Sequence, residues 1–296
     1  MGRHEADLME AASAGELEGV ERAIARGAKV SACDDAALCA AAMAGSRKVV
    51  ERLLGFEPDR RSLDEALVIA STRGHGGVAD LLLTAGADTG LRGGMALRLA
   101  AQGGFVAIVE RLLRCGSPGA SEALAQACMC GHSHVVELLL AAGADPRAHG
   151  DDALVCASRW GHLDLVERLL QLGCNPRAQR DKPIIWACRR GFLQVVEMLI
   201  AAGADPIGNG DLVVLAAEAG QLAVFDRLVE LGADPRVMHD APLLAAARSG
   251  HLRVAERALE YGADAGLCLR RLEGYGSELV RDRLQKATYQ QMAMAA

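Results

Sequence analysis

Residues 128 to 134 hold the cluster most suggestive of metal chemistry: Cys128, Cys130, His132 and His134. Thiolate and imidazole are donors that zinc prefers, and four of them would close a tetrahedral site. Gly-His-Gly-Gly at residues 74 to 77 invites comparison with a phosphate-binding loop. Such loops follow a strand in a Gly-x-Gly-x-x-Gly or Walker pattern, which this segment does not do. A third constellation is Arg159-Trp160 with Arg189-Arg190, near the turn arginines Arg147, Arg177, Arg180 and Arg236. Arginine and tryptophan are the residues most enriched at binding hot spots, so this group suggests recognition rather than catalysis.

The elements that must hold these residues follow from a recurring glycine. It falls at Gly15, Gly45, Gly74, Gly104, Gly131, Gly161, Gly191, Gly220 and Gly250, at intervals of 27 to 30 residues. Self-similarity at such a period marks a stacked repeat protein. Seven places before each glycine stands an apolar anchor: Leu8, Leu38, Leu67, Leu97, Leu124, Leu154, Ile184, Val213 and Leu243. Three places after each anchor comes alanine, from Ala11 to Ala246. This spacing is one face of a first helix, which the glycine ends in the left-handed conformation.

A second helix follows, apolar four, five, eight and nine places past the glycine, as in Val49, Val50, Leu53 and Leu54. The polar pair between them is often Glu-Arg, as in Glu51-Arg52, Glu110-Arg111 and Glu167-Arg168, which suits a solvated outer face. Gly-Ala-Asp closes several of these helices, and Pro146, Pro206 and Pro235 forbid continuation. Asp35, Asp64, Ser121, Asp151, Asp181 and Asp240 stand three places before their anchors and are expected to cap the next first helix.

Apolar anchor, paired alanines, Gly-His, Val-Val, Leu-Leu and Gly-Ala-Asp together resemble the ankyrin repeat. The resemblance spans residues 7 to about 265 as nine repeats. The family period is about 33 residues, so roughly three are missing before each anchor. The Thr-Pro-Leu-His signature is also lost: Pro183 and Pro242 survive, but no histidine follows an anchor. The resemblance implies an all-α ankyrin-type helical repeat solenoid with tight turns and few or no finger strands. The expected organisation is nine repeats over 1–265, a degenerate capping helix pair over 266–290 and a frayed tail at 291–296. In the cap, Leu279, Val280 and Leu284 should pack back on repeat nine.

This register changes how the first two clusters read. Cys128 points into the stack at the family's second alanine, as does Cys188, and His132 is the Gly-His histidine seen again at His75, His162 and His251. Cys156, one turn earlier, is expected inside as a small hydrophobe. The four possible zinc ligands straddle a helix end and diverge, so no metal and no cofactor is expected. Repeats and cap consume the chain, which leaves no room for a catalytic domain; no enzyme and no small-molecule substrate are expected.

The resemblance also implies that the two residues before each helix-turn glycine face a binding groove. They include Met43-Ala44, Thr72-Arg73, Met129-Cys130, Arg159-Trp160, Arg189-Arg190 and Arg248-Ser249. The expected contact residues are Arg159, Trp160, Arg189 and Arg190, with Arg73, Arg248, Arg177 and Arg180 around them. Trp186, two places past its anchor, is expected in the core.

Of 296 residues 51% are hydrophobic and only 3% aromatic, which fits many thin layers rather than one bulky centre. A net charge of −6 and scarce aromatics argue against a nucleic-acid partner. No apolar run reaches the roughly 18 residues of a membrane span. A charged N-terminus without a signal peptide and nine cysteines point to the cytoplasm, or to a host cell's interior for an effector. The expected function is binding another protein with an acidic patch, by a chain monomeric when free. Such a binder either occludes its target, as an inhibitor or immunity-type protein does, or joins two proteins as an adaptor, scaffold or host-directed effector.

Overall fold

The computed structural model describes residues 3–31, 36–208, 211–272 and 278–295. Asp35 and the junction of the expected cap, residues 273–277, lie outside them. Twenty helices follow one another, and no strand occurs among the described residues. The chain divides into two compact units, Met1–Ala148 and His149–Ala296. The first holds the helix pairs of repeats one to five, from Arg3–Ala14 with Leu17–Ala25 to Ala120–Cys130 with Ser133–Ala141. The second holds repeats six to nine, from Ala148–Trp160 with Leu163–Gln171 to Val237–Ser249 with Leu252–Glu260. Its cap pair is Ala265–Arg271 and Glu278–Ala295.

Each layer is thin because its core is small. All nine anchors and the nine alanines three places on are buried, and Val49, Val50 and Leu53 with their counterparts seal the second helix. Alanine brings neighbouring first helices close, and the turn glycine extends that closeness to the helix ends. At Gly45, φ is 71° and an added Cβ would lie 2.6 Å from the ring of His75 in the next repeat. His75 in turn places Nε2 3.1 Å from the carbonyl of Met43. His132 does the same to Gln102 at 3.0 Å, and Gln221 Nε2 donates to the carbonyl of Arg189 at 3.3 Å. The residue after each of these glycines therefore ties its repeat to the one before, satisfying a carbonyl at the end of the preceding first helix.

The Glu-Arg pairs of the outer helices also work between repeats. In the first unit Arg52 meets Glu21 at 3.7 Å and Arg111 meets Asp80 at 3.3 Å. In the second, Arg227 meets Glu197 at 3.1 Å, Arg257 meets Asp226 at 3.2 Å and Arg283 meets Glu256 at 2.8 Å. Exposed pairs of this kind are each worth about 0–1 kcal/mol, so they set register more than stability. Burial beside the Arg257 pair raises the pKa of Asp226 despite that arginine.

The expected caps do something else. An N-cap must be extended and stand just outside the first turn. In repeat three that position belongs to Asp59, whose Oδ1 accepts from Ser62 N at 2.7 Å. These bonds lower the pKa of Asp59. Asp64 lies a turn inside the helix and accepts from the backbone N–H of Asp88. Ser121 Oγ accepts from Asp145 N at 3.0 Å and Asp151 Oδ1 from Asn175 N at 3.2 Å. All three brace the turn that closes their own repeat's second helix. Asp181 and Asp240 pair instead with Arg177 at 3.0 Å and Arg236 at 3.4 Å.

Four of the shortened loops are closed by a left-handed triplet five, four and three places before the anchor. It comprises Arg92-Gly93-Gly94 (φ 49°, 66°, 80°), His149-Gly150-Asp151 (55°, 71°, 62°), Gln179-Arg180-Asp181 (49°, 63°, 61°) and Met238-His239-Asp240 (53°, 59°, 60°). Three successive residues of this hand reverse the chain where a full-length loop would make a hairpin. An L-residue with a side chain costs roughly 1–2 kcal/mol in this region, so neighbours must hold it. Gln179 Nε2 donates to the carbonyls of His149 and Gly150 at 3.3 and 3.2 Å, and Arg271 Nη1 donates to that of His239 at 2.8 Å.

The cap corrects a further expectation. Val280 and Leu284 are buried as expected, but Leu279 is 62% exposed. The helix runs on to Ala295, through the segment expected to fray. Gln291 is the reason: its Nε2 donates to Ala263 O at 2.8 Å and its Oε1 accepts from Ala265 N at 3.2 Å.

Candidate protein-binding site

The residues before the helix-turn glycines escape burial. Met43, Arg73, Trp160, Arg189, Arg190 and Arg248 are exposed, while Arg159 and Met129 are half-buried. In the second unit the first helices of repeats six and seven bring their pairs together. Arg190 lies over the Trp160 ring with its guanidinium carbon 4.3 Å from the ring centroid. Arg159 lies 4.2 Å from the Trp186 centroid and 6.0 Å from that of Trp160. Arg189 lies 5.9 Å from Trp186 on the same patch. All four distances fall within cation–π range.

Trp186 is therefore part of this surface and not of the core. It stands five places before the turn glycine, a position half-buried in most repeats. Polar residues at the same place elsewhere, Glu10 and Gln126, are the sequence signal of an outward position. Cys156, expected inside, occupies this position too and is half-buried, whereas Cys128 and Cys188 are fully buried. Burial drives the Cys188 thiol pKa to about 12.

Arg189 and Arg190 lie beside the indole rings and are exposed, and a guanidinium so placed can meet a planar oxyanion in a fork. The Nε of Arg159 is buried without a hydrogen-bond partner among the described residues. Arg189 has a carboxylate nearby, Glu218 at 3.8 Å in repeat eight. Trp160, 43% exposed, supplies the patch's large apolar face.

The other arginines expected at the site stand apart from this stack. Arg177 is held by Asp181, whose hydrogen bond and charge raise its guanidinium pKa. Arg180 is exposed within a left-handed triplet. Arg248 Nη2 donates to the carbonyl of Arg271 at 3.2 Å. Arg73 belongs to the first unit, exposed beside Gly74. As for the cysteine–histidine cluster, Cys128 points into the stack while His132 reaches Gln102. Among the described residues no three or more His, Cys, Asp or Glu side chains are grouped to hold a metal ion. Nor is any helix among them long and apolar enough to cross a membrane.

A solenoid of helix pairs with exposed first-helix ends defines a binding module built from repeats. The family profile described as "Ankyrin repeats (3 copies)" matches residues 8–93, 97–180, 124–210, 155–239 and 184–268, and the chain belongs to the ankyrin-repeat family. Among solved structures it is similar to the human ASB11 ankyrin repeat domain, with 26% identity and a TM-score of 0.54. That likeness covers 64% of this chain and 96% of the other. No curated protein matches the sequence. Ankyrin repeats serve protein–protein interaction, and the family is generally non-enzymatic.

Proposed function

We propose that this chain is a non-enzymatic binder that occludes a partner protein, gripping an acidic patch with the Arg159, Trp160, Trp186, Arg189 and Arg190 cluster. The observation that carries the reading is the interleaving of both tryptophans with three arginines across the neighbouring first helices of repeats six and seven. Trp160 provides a desolvated anchor, and the stacked guanidinium groups provide oriented donors for carboxylates. Glu218 beside Arg189 occupies a position that a partner's carboxylate would take. The reading keeps the earlier expectations of a monomeric free chain and a reducing cellular interior. Burial of Cys128, Cys188 and Cys268 as apolar filling supports the second.

The test is affinity capture from the native host with wild-type bait beside a Trp160→Ala, Arg189→Glu, Arg190→Glu variant of unchanged circular dichroism. Binding of the captured protein is then measured with purified components. Trp160→Ala alone should weaken it by about 2 kcal/mol or more if Trp160 is a hot spot. The two charge reversals should slow association and flatten its salt dependence. Full-strength binding by the triple variant would refute this site.

An adaptor joining two proteins is the second reading. It is favoured by the exposed apolar residues of the cap helix, Leu279, Tyr289 and Met292. Retention of every partner after removal of that helix, in a protein that still folds, would eliminate it.

A further inference from the structure

The cap helix Glu278–Ala295 packs one side against Leu252–Glu260 and Ala265–Arg271. Val280 and Leu284 are buried on that side, and Ala287, Thr288 and Gln291 are half-buried. A helix packed on one side only is expected to be polar on the other. Here the other side carries Leu279, 62% exposed, and Tyr289, 75% exposed, with Asp282 and Lys286 exposed between them. Leu279, Asp282, Lys286 and Tyr289 follow one another at spacings of three, four and three residues. That alternation is the seam of a two-helix coiled coil, positions a, d, a and d. All four side chains are exposed, so the seam lacks the second helix that its spacing suits.

The order of residues along the seam selects that second helix. Leu279 and Tyr289 lie five places either side of Leu284, and Asp282 and Lys286 lie two places either side of it. The seam is therefore complementary to a reversed copy of itself. In an antiparallel pair whose twofold axis lies level with Leu284, each Leu279 meets Tyr289 of the second copy. Each Asp282 likewise meets Lys286 of the second copy. A twofold interface requires this property, because a contact of i with j is always also one of j with i. Parallel helices would instead set Asp282 on Asp282 and Lys286 on Lys286, and like charges so placed repel.

The charges already stand as the pair needs them. Lys286 Nζ donates to Asp282 Oδ2 of its own helix at 2.6 Å. Two copies then close a square of alternating charges at the centre, with Leu279 on Tyr289 at both ends. Arg283 flanks the seam and would face its counterpart, but Glu256 meets its charge at 2.8 Å. An unrelated apolar helix would desolvate Asp282 and Lys286 with no second pair to offset the cost.

We infer that this face pairs with a second copy of the chain as an antiparallel helix pair. From residue 279 to residue 289 the seam is about 15 Å long at about 1.5 Å per residue, short of what a permanent dimer buries. The dimer therefore exchanges with monomer, dissociating at about 10–100 µM, and the monomeric chain of the proposed function is its dilute form. This pairing is independent of the tryptophan–arginine cluster, and its test reads out separately.

The test is sedimentation velocity of the full chain from about 1 to about 500 µM. The wild type should pass from monomer to dimer across this range, and Leu279→Lys should hold it monomeric. Asp282→Lys and Lys286→Asp each give the centre of the seam a single sign, and each should weaken self-association about tenfold or more. Mixed in equal amounts, these two variants should associate again, since every lysine of one then meets an aspartate of the other. Carbodiimide treatment of mixed isotope-labelled and unlabelled wild type should join Asp282 to Lys286 in peptides of mixed isotope. Trp160→Ala should leave the dimer unchanged, and circular dichroism verifies that each variant folds. A wild type still monomeric at about 500 µM would overturn the inference and leave this face to another protein, as in the adaptor reading. A dimer that a folded Lys286→Asp chain retains in full, or mixed variants that stay apart, would overturn it equally.

Discussion

Replacing Arg180 by glycine should make this protein more stable, although the substitution removes a large side chain and adds backbone freedom. Arg180 sits at φ 63°, in the middle of the Gln179-Arg180-Asp181 triplet, with its side chain exposed. A side-chain-bearing L-residue pays roughly 1–2 kcal/mol there, and glycine relieves that. Glycine costs roughly 0.5–1 kcal/mol more backbone entropy on folding. The difference favours Arg180→Gly by about 0.5–1 kcal/mol. Arg180→Ala is the control, because alanine keeps the steric clash and should give no gain. His239→Gly, at φ 59° and exposed, repeats the test in repeat nine. The two sites are two repeats apart, so their gains should add within a few tenths of a kcal/mol. Urea denaturation followed by helical circular dichroism measures this, with the slope unchanged so that the midpoint reports stability. Destabilisation by Arg180→Gly, or an equal effect of glycine and alanine, would mean that no left-handed turn closes these loops.

Three further outcomes can be measured on the isolated protein. Cys115 is exposed and should react at once with a thiol reagent, whereas Cys128 and Cys188 should be labelled only as the protein unfolds; mass-resolved labelling distinguishes them. Asp59→Ala should lower the melting temperature at pH 7, and the deficit should shrink as pH falls. The Asp59 carboxyl has its folded pKa below 3.8, so its stabilisation is fully present above that value and lost as pH drops through the folded pKa. A deficit unchanged at pH 2 would show that the carboxylate is not the cap. Gln291→Ala should unlatch the C-terminal end of the last helix, raising amide exchange over residues 288–295 while leaving repeats six to eight protected.

The sequence exposes everything that recurs and conceals what depends on neighbours. Nine glycines, nine anchors and nine alanines are visible because each repeat faces the same steric demand. The outward position of Trp160, Arg189 and Arg190 is what the family resemblance carried by that register implies, and Arg159 beside them is half-buried. The left-handed triplets are half visible: Gly93, Gly94 and Gly150 announce them, but Gln179-Arg180-Asp181 and Met238-His239-Asp240 do not. In those repeats the conformation is supported by bonds from other residues, Arg177 and Lys182 to the first triplet and Arg271 to the second. The aspartates before the anchors mislead for a related reason. Aspartate is favoured both at caps and in left-handed turns, and only the backbone path tells which role applies. Trp186 misleads because large apolar residues usually belong inside, and its stacking partner Arg159 comes from a different repeat.

Equivalent positions stacked along a solenoid turn single substitutions into surfaces. The column five places before the turn glycine holds Ile69 and Leu99 in the first unit and Cys156 and Trp186 in the second. Two aliphatic residues there, with Met95 and a leucine from the adjoining turn, line two shallow hollows. A tryptophan there, with arginines at the next outward positions, makes a face that orients cations. The backbone beneath is the same, since the anchors and alanines that build each layer lie on the opposite side of the same helix. Recognition can therefore change repeat by repeat without disturbing the core. The variants at Trp160, Arg189 and Arg190 should accordingly alter binding while leaving the fold intact, because each changes an exposed side chain and none touches an anchor.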